Sequence, residues 1–208
     1  MQIDPAEHPT ADNYKLLTNL VVPRPIAWVT TRNEDGSINL APFSFFNAVS
    51  SKPLFVTISV GRNESGNDKD TARNIKRSGE FVVNMVTEEL FDAMNISAAD
   101  FPPDESELTA TGLHTLASVH VAVPRVAESL ASLECKLHGS HPLGNYTLFI
   151  GEVVMFHVAD RLVGPKLHID NFAPIGRMGS PSVYCRTQDR FDVPRINYAQ
   201  WSGGRKKI

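Results

Sequence analysis

Cysteine is scarce in this 208-residue chain: Cys135 and Cys185 are the whole complement, too few for a disulfide-built scaffold. A strong charge of one sign is missing too. Twenty lysines and arginines stand against 23 aspartates and glutamates, a formal net charge of −3, which offers no broad basic field to a nucleic-acid backbone. No apolar run approaches the roughly 20 residues that cross a bilayer, and the N-terminal stretch lacks the basic, then apolar, then small-residue layout of an export signal. We therefore expect a cytoplasmic protein with reduced thiols and no membrane or nucleic-acid partner; a single Cys135–Cys185 disulfide is the one covalent alternative the sequence leaves open. The patterns Gly-x-x-x-x-Gly-Lys, Gly-x-Gly-x-x-Gly and Gly-x-Ser-x-Gly are absent, which removes a P-loop, a dinucleotide fingerprint and a nucleophile elbow.

What is present is enough for one core. With 42% hydrophobic and 21% charged residues, a single domain over 1–208 is expected, with a loose arm at 1–11 and a tail at 191–208 ending in Arg205-Lys206-Lys207. Asp12 is placed to cap a helix through Leu20 with Tyr14, Leu17 and Leu20 on one face. Pro23 and Pro25 then force extended backbone into a strand from Ile26 to Thr31, and Asn33-Glu34-Asp35-Gly36 turns it back as a hairpin. Leu54 to Val60 is a nearly continuous β-branched run, expected at the centre of a sheet or barrel. A helix over Lys69–Ser78, capped by Asp68 or Asp70 and stopped by Gly79, precedes a strand from Glu80 to Val86, and Thr87 caps a further helix to Ser97. Asp100 to Gly112 has no packing period. Val119–Val123, Leu130–His141 and Tyr146–Val158 read as strands, the last two joined at Pro142–Asn145. About six strands with helical insertions make the fold mainly β, a closed or partly closed small barrel.

Two stretches point to chemistry. Asn39 to Asn47 sets Ser44 and Asn47 among Phe43, Phe45 and Phe46, hydrogen-bonding groups beside flat apolar ones, as a planar heterocycle with polar edges needs. An ordinary hairpin with an inward aromatic patch has the same composition. Gly61 to Thr71 supplies the second set: Arg62 follows a buried strand and Lys69-Asp70-Thr71 opens a helix, so a guanidinium, an ammonium, a hydroxyl and free helix amides converge as the parts of a phosphate site. Charge alone equally allows Arg62 and Lys69 to be solvated; the two stretches together favour a ligand. Cys135, His138 and His141 lie at odd separations, which on a strand puts successive members on opposite faces, so no metal site is expected. His168 with Asp170 is a candidate contact pair in a loop.

Three blocks in order, Pro23-Arg-Pro-Ile-Ala-Trp-Val-Thr-Thr31, Asn39-Leu-Ala-Pro-Phe-Ser-Phe-Phe-Asn47, and Lys69-Asp-Thr-Ala-Arg-Asn-Ile75 with Gly79-Glu-Phe-Val-Val-Asn84, resemble the flavin reductase-like, FMN-binding split-barrel family, over roughly Tyr14 to Val158. The resemblance implies a split β-barrel of about six strands, paired as a homodimer with FMN near the interface. It implies that Thr30, Thr31, Ser44, Phe45, Phe46 and Asn47 line the isoalloxazine and ribityl parts, and that Arg62, Lys69, Asp70 and Thr71 gather at the phosphate. It implies hydride transfer from NADH or NADPH to flavin, without a protein nucleophile, and delivery of electrons to a partner oxygenase or another acceptor. Many relatives carry Arg-Leu-Gly-Gly ahead of a tyrosine, whereas here Arg177-Met-Gly-Ser180 precedes Tyr184 by a longer gap holding Pro181. His168 and Arg177 are thus the candidates on the nicotinamide or substrate side, and a flavoredoxin-like electron carrier without its own NAD(P)H site is the alternative.

Overall fold

The computed structural model describes residues 1–102 and 105–203, so Pro103, Asp104 and the basic run Arg205-Lys206-Lys207 lie outside the described residues. Helix α1 spans Thr10–Leu20, begins three residues earlier than the Asp12 cap implies, with Pro9 at its N-cap, and is preceded by a 3-10 turn at Pro5–Glu7. The predicted hairpin is present: β1 (Ala27–Arg32) pairs antiparallel with β2 (Ile38–Phe43), Thr31 opposite Asn39, and its turn closes with Asn33 N–H donating to Ser37 O at 2.8 Å. Then follow β3 (Phe46–Ser51), β4 (Leu54–Gly61), β5 (Glu80–Asn84), β6 (Ala131–Leu143) and β7 (Tyr146–Val158). All seven form one antiparallel sheet in the order β2-β1-β5-β6-β7-β4-β3.

That order dictates the shape. The two edge strands, β2 and β3, are consecutive in the chain with Ser44-Phe45 between them, so the sheet must curl until its edges approach; Ser59 N–H of β4 donates to Phe45 O at 2.9 Å, extending the β3–β4 ladder one residue into that crossing. The inward residues fill the resulting barrel. Ala27 and Val29, Val56, Ile58 and Val60, Phe81 and Val83, Cys135, Phe149 and Val153 form one buried cluster, joined by Phe43, Phe46 and, from the helix that plugs one end, Ala72 and Ile75. Gly151 sits where β7 bulges against β6, and a Cβ there would lie 2.4 Å from Phe81 Cζ, so the barrel closes around the Phe81 ring only with glycine at that position. On the outer side of β1, Ile26, Trp28, Leu40 and Met94 belong to a second cluster with Val126 and Ile175. It is covered by α3 (Phe91–Ile96) and α4 (Glu107–Thr111), and Trp28 Nε1 donates to Ser97 Oγ at 2.8 Å.

Four expectations are corrected. Strand β4 lies second from the edge, not at the centre; Val56, Ile58 and Val60 face the core while Phe55, Thr57 and Ser59 are half-buried. Helix α2 (Asp70–Ser78) has Lys69 at its N-cap with no side-chain cap, because Asp68 pairs with Lys76 and Asp70 with Arg73; Gly79 does stop it at φ 70°. Residues 100–112 contain α4, whose Leu108 packs on the outer cluster. Val119 to Val123 is not a strand. The amides of Val119, His120 and Val121 are all taken by the buried Glu134 carboxylate, at 2.7, 2.6 and 3.2 Å, which leaves Thr115–Leu116 and Arg125–Val126 to pair on either side.

Candidate functional site

At one end of the barrel, where β1 turns into β2, the start of α2 packs on two hydroxyls and two amides. Thr31 Oγ1 accepts from Asn39 Nδ2 at 3.2 Å and Asn74 Nδ2 at 3.0 Å, and Thr71 Oγ1 accepts from Asn39 Nδ2 at 2.9 Å. Both threonines are buried. The first intrahelical bond of α2 is Arg73 N–H to Lys69 O, at 3.1 Å, so the amides of Asp70, Thr71 and Ala72 precede it, and the helix has no side-chain cap. A half-exposed ammonium stands over this end, Lys69 Nζ at 3.2 Å from Asp100 Oδ1. Arg62 lies on the preceding loop, its Nη1 donating to Gly66 O at 2.9 Å and its backbone to Asn145 O at 3.0 Å. Structure thus gathers Thr31, Lys69, Asp70 and Thr71 at one helix end, with Arg62 on the strand exit beside it. Asn39 and Asn74, which sequence reasoning did not single out, join the two threonines. Both lie inside the quoted blocks, and their burial at 6% and 5% exposure is a fact of packing that composition does not announce.

Ser44, Phe45, Phe46 and Asn47 occupy the opposite end of β2, where the chain crosses from one barrel edge to the other. Five near-extended steps of chain lead from Asn39 to Ser44, about 17 Å at the rise of a strand, so the two groups of candidates mark the ends of a track along β2. Phe45 is the hub of its end: the Tyr146 ring lies 5.6 Å from it, the Tyr14 ring of α1 6.5 Å, and the Arg24 guanidinium 6.0 Å. A cavity of about 630 Å³ opens against the helix end of this arrangement, between the β1–β2 turn, α2 and the segment around Glu107, with Asn39, Asp70 and Asn74 in its lining. Its lining mixes Arg73 and Arg77 with Glu34, Asp35, Asp70 and Glu105, and burial holds the Glu107 carboxyl above its ordinary value.

Three candidates stand apart. Thr30 projects to the opposite face of β1 from Thr31, is wholly buried, and donates to Pro124 O at 2.7 Å. His168 is exposed, 3.4 Å from Asp170 Oδ1, and makes no bond to the other candidates among the described residues. Arg177 pairs in register with Arg24 and donates to the Tyr184 hydroxyl and to Pro181 O. Of the rejected metal trio, Cys135 is in the barrel core, where burial pushes its thiol far up, and His138, bulged out of register, stacks on Phe55 at 4.5 Å. Cys135 and Cys185 are both free, and no described helix is long and apolar enough to cross a membrane.

Comparison with known proteins places this geometry. The model of the flavin reductase like domain matches residues 19–192. Nitrilotriacetate monooxygenase component B from Bacillus cereus is 39% identical and superposes with a TM-score of 0.88, over 93% of this chain and 98% of that one. The 2-nitrobenzoate 2-nitroreductase NbaA from Pseudomonas fluorescens is 34% identical, with a TM-score of 0.86 over 95% and 98% of the two chains. A protein with a split barrel domain from Shewanella frigidimarina, at 21% identity, shares the fold with a TM-score of 0.79 over 94% and 100%.

Proposed function

The chain belongs to the flavin reductase-like family, and from that membership we propose that it binds FMN and takes a hydride from NADH or NADPH. The observation that carries the choice of FMN is the uncapped start of α2, with Lys69 above it and Arg62 on the adjoining loop. Three amides, an ammonium and a guanidinium suit a terminal phosphate bearing close to two negative charges. Asp70 contributes its amide while its carboxylate is neutralised by Arg73. Thr31 and Thr71, both buried, accept from Asn39 and Asn74 and so tie the β1–β2 hairpin to the start of α2, which fixes the direction of its free amides. At the far end, Ser44 and Asn47 supply polar contacts and Phe45 and Phe46 apolar ones to a flat ring. Bound flavin supplies the hydride-accepting centre; the protein's part is to exclude water, hold the ring and place donors where negative charge grows. Hydride transfer to a flavin calls for no protein nucleophile. The similarity to a monooxygenase component B supports delivery of the electrons to a partner oxygenase.

A second reading, an electron carrier without a nicotinamide site, is favoured by one observation: Arg177, the candidate on that side, is already bonded to Tyr184 and Pro181. Anaerobic mixing of the FMN-loaded protein with NADH or NADPH separates the two. Hydride transfer bleaches the flavin absorbance within seconds with at least one donor; an unbleached flavin that dithionite still reduces establishes the carrier.

We also propose a homodimer. Phe191, Val193, Ile196 and Tyr198 of the tail are between 65% and 87% exposed, and α1 leaves Tyr14, Leu17 and Leu20 uncovered, an apolar load that a second copy would cover. Sedimentation at micromolar concentration is expected to give the mass of two chains. A monomer that still holds flavin would overturn the dimer.

A further inference from the structure

Arg24 is an unusual residue to bury. It is 7% exposed, its Nη1 donates to Thr18 O and Val21 O at 2.6 Å each, at the C-terminal turn of α1, and its Nε has no partner in the protein. Its register partner on the neighbouring strand is another arginine, Arg177. Like charges directly opposite one another destabilise a strand pair, and a buried charge is ordinarily matched by an opposite one. Here neither guanidinium pairs with a carboxylate among the described residues: Arg177 bonds a hydroxyl and a carbonyl, and the charged or titratable groups that act on Arg24 are Arg177 and Tyr14. Burial, and after it the Arg177 charge, pulls the Arg24 guanidinium below its ordinary value.

We propose that Arg24 and Arg177 form an oxoanion site, which takes the carboxylate or phosphate group of the molecule that exchanges electrons with the flavin. Paired guanidinium groups match the geometry of either oxoanion. The surroundings say where the rest of such a ligand lies: Phe45 is 6.0 Å from the Arg24 guanidinium, with Tyr14 and Tyr146 against it, and the Tyr184 ring is 4.7 Å from that of Arg177. The body of the ligand is therefore flat and apolar. Phe45 is at the end of the track away from Lys69, so this anion is not the FMN phosphate. Its assignment to the flavin's redox partner rests on the flavin reading above; the anion site itself does not.

Thermal midpoints of the full chain, without added flavin, test the site. Sodium benzoate, inorganic phosphate and NAD⁺ are each titrated at an ionic strength matched with sodium chloride. At least one should raise the wild-type midpoint saturably, by about 3–6 °C at ten times its dissociation constant, and Arg177→Gln should abolish that rise. Arg24→Lys, which keeps the charge and loses the fork, is the second variant should Arg177→Gln fail to fold, and should weaken the response at least tenfold. A response to benzoate alone identifies a carboxylate, one to NAD⁺ alone a dinucleotide pyrophosphate, and one to inorganic phosphate a phosphoryl group. No saturable response in the wild type, or one that survives both substitutions, overturns the site. A parallel FMN titration keeps the two readings separate: anion binding without FMN binding sinks only the flavin reading, and FMN binding without any anion response sinks only this one.

Discussion

Replacing Lys69 by glutamate is expected to weaken FMN binding by well over tenfold while leaving riboflavin binding nearly unchanged. The ammonium is half-exposed and its present partner, Asp100, is 87% exposed at the side chain, so the pair it would leave for a phosphate is a surface ion pair worth about 0–1 kcal/mol. A charge-assisted bond to phosphate contributes on the order of 1.5–3 kcal/mol, and each 1.4 kcal/mol is about a factor of ten in affinity. Glutamate removes that bond and adds repulsion beside three uncapped amides. The fold should survive, since Lys69 anchors no core contact. Riboflavin lacks the phosphate and serves as the control; an equal loss for both ligands, or none for FMN, would move the phosphate away from α2.

The largest loss of stability is expected from Glu134→Ala. The carboxylate is fully buried, accepts three backbone amides from 119–121, and meets His157 Nε2 at 2.5 Å. Removing one side of such a buried network costs about 3–5 kcal/mol, or roughly 6–20 °C of melting temperature for a chain of this size. Burial pushes the Glu134 carboxyl up, but His157 and the Val119 and His120 amides outweigh it and hold the group below its ordinary value. The sign follows: a lowered folded-state pKa means the stabilisation is complete above the ordinary carboxylate range and is lost as pH falls through the lowered value. Glu134→Gln, which keeps the shape, should therefore melt lower than wild type at neutral pH and approach it on acidification. Melting curves that match wild type at neutral pH in both variants would show that the 118–123 segment is held by something else.

The same residue explains where the sequence misleads. Val119, Val121 and Val123 alternate as strand residues do, but the acceptor for the Val119, His120 and Val121 amides lies 13 to 15 positions away on β6, and no local pattern reveals it. Elements whose determinants are local were legible: the Asn33–Gly36 turn, the Gly79 stop of α2, and the long β6–β7 hairpin. The Asn39–Asn47 and Gly61–Thr71 stretches stand out in the sequence by their residue types, while the placement of Ser44–Asn47 and of the start of α2 at the two ends of β2 required the register. Parity along β1 would have set Thr30 apart from Thr31, because neighbours on a strand face opposite ways. Asn39 and Asn74 look like surface amides in the sequence, and Arg24, between two prolines, reads only as extended backbone leading into a strand. Each is buried by contacts with distant segments, as Asn39 is by Thr71 and Arg24 by α1 and Arg177.

Release of the chromophore from freshly purified protein tests the central claim most directly. The account predicts a yellow protein whose heat-released flavin migrates as FMN, because the proposed function seats a terminal phosphate at the uncapped start of α2 beside Lys69. Recovery of FAD, or a colourless protein that takes up no added FMN, would contradict it.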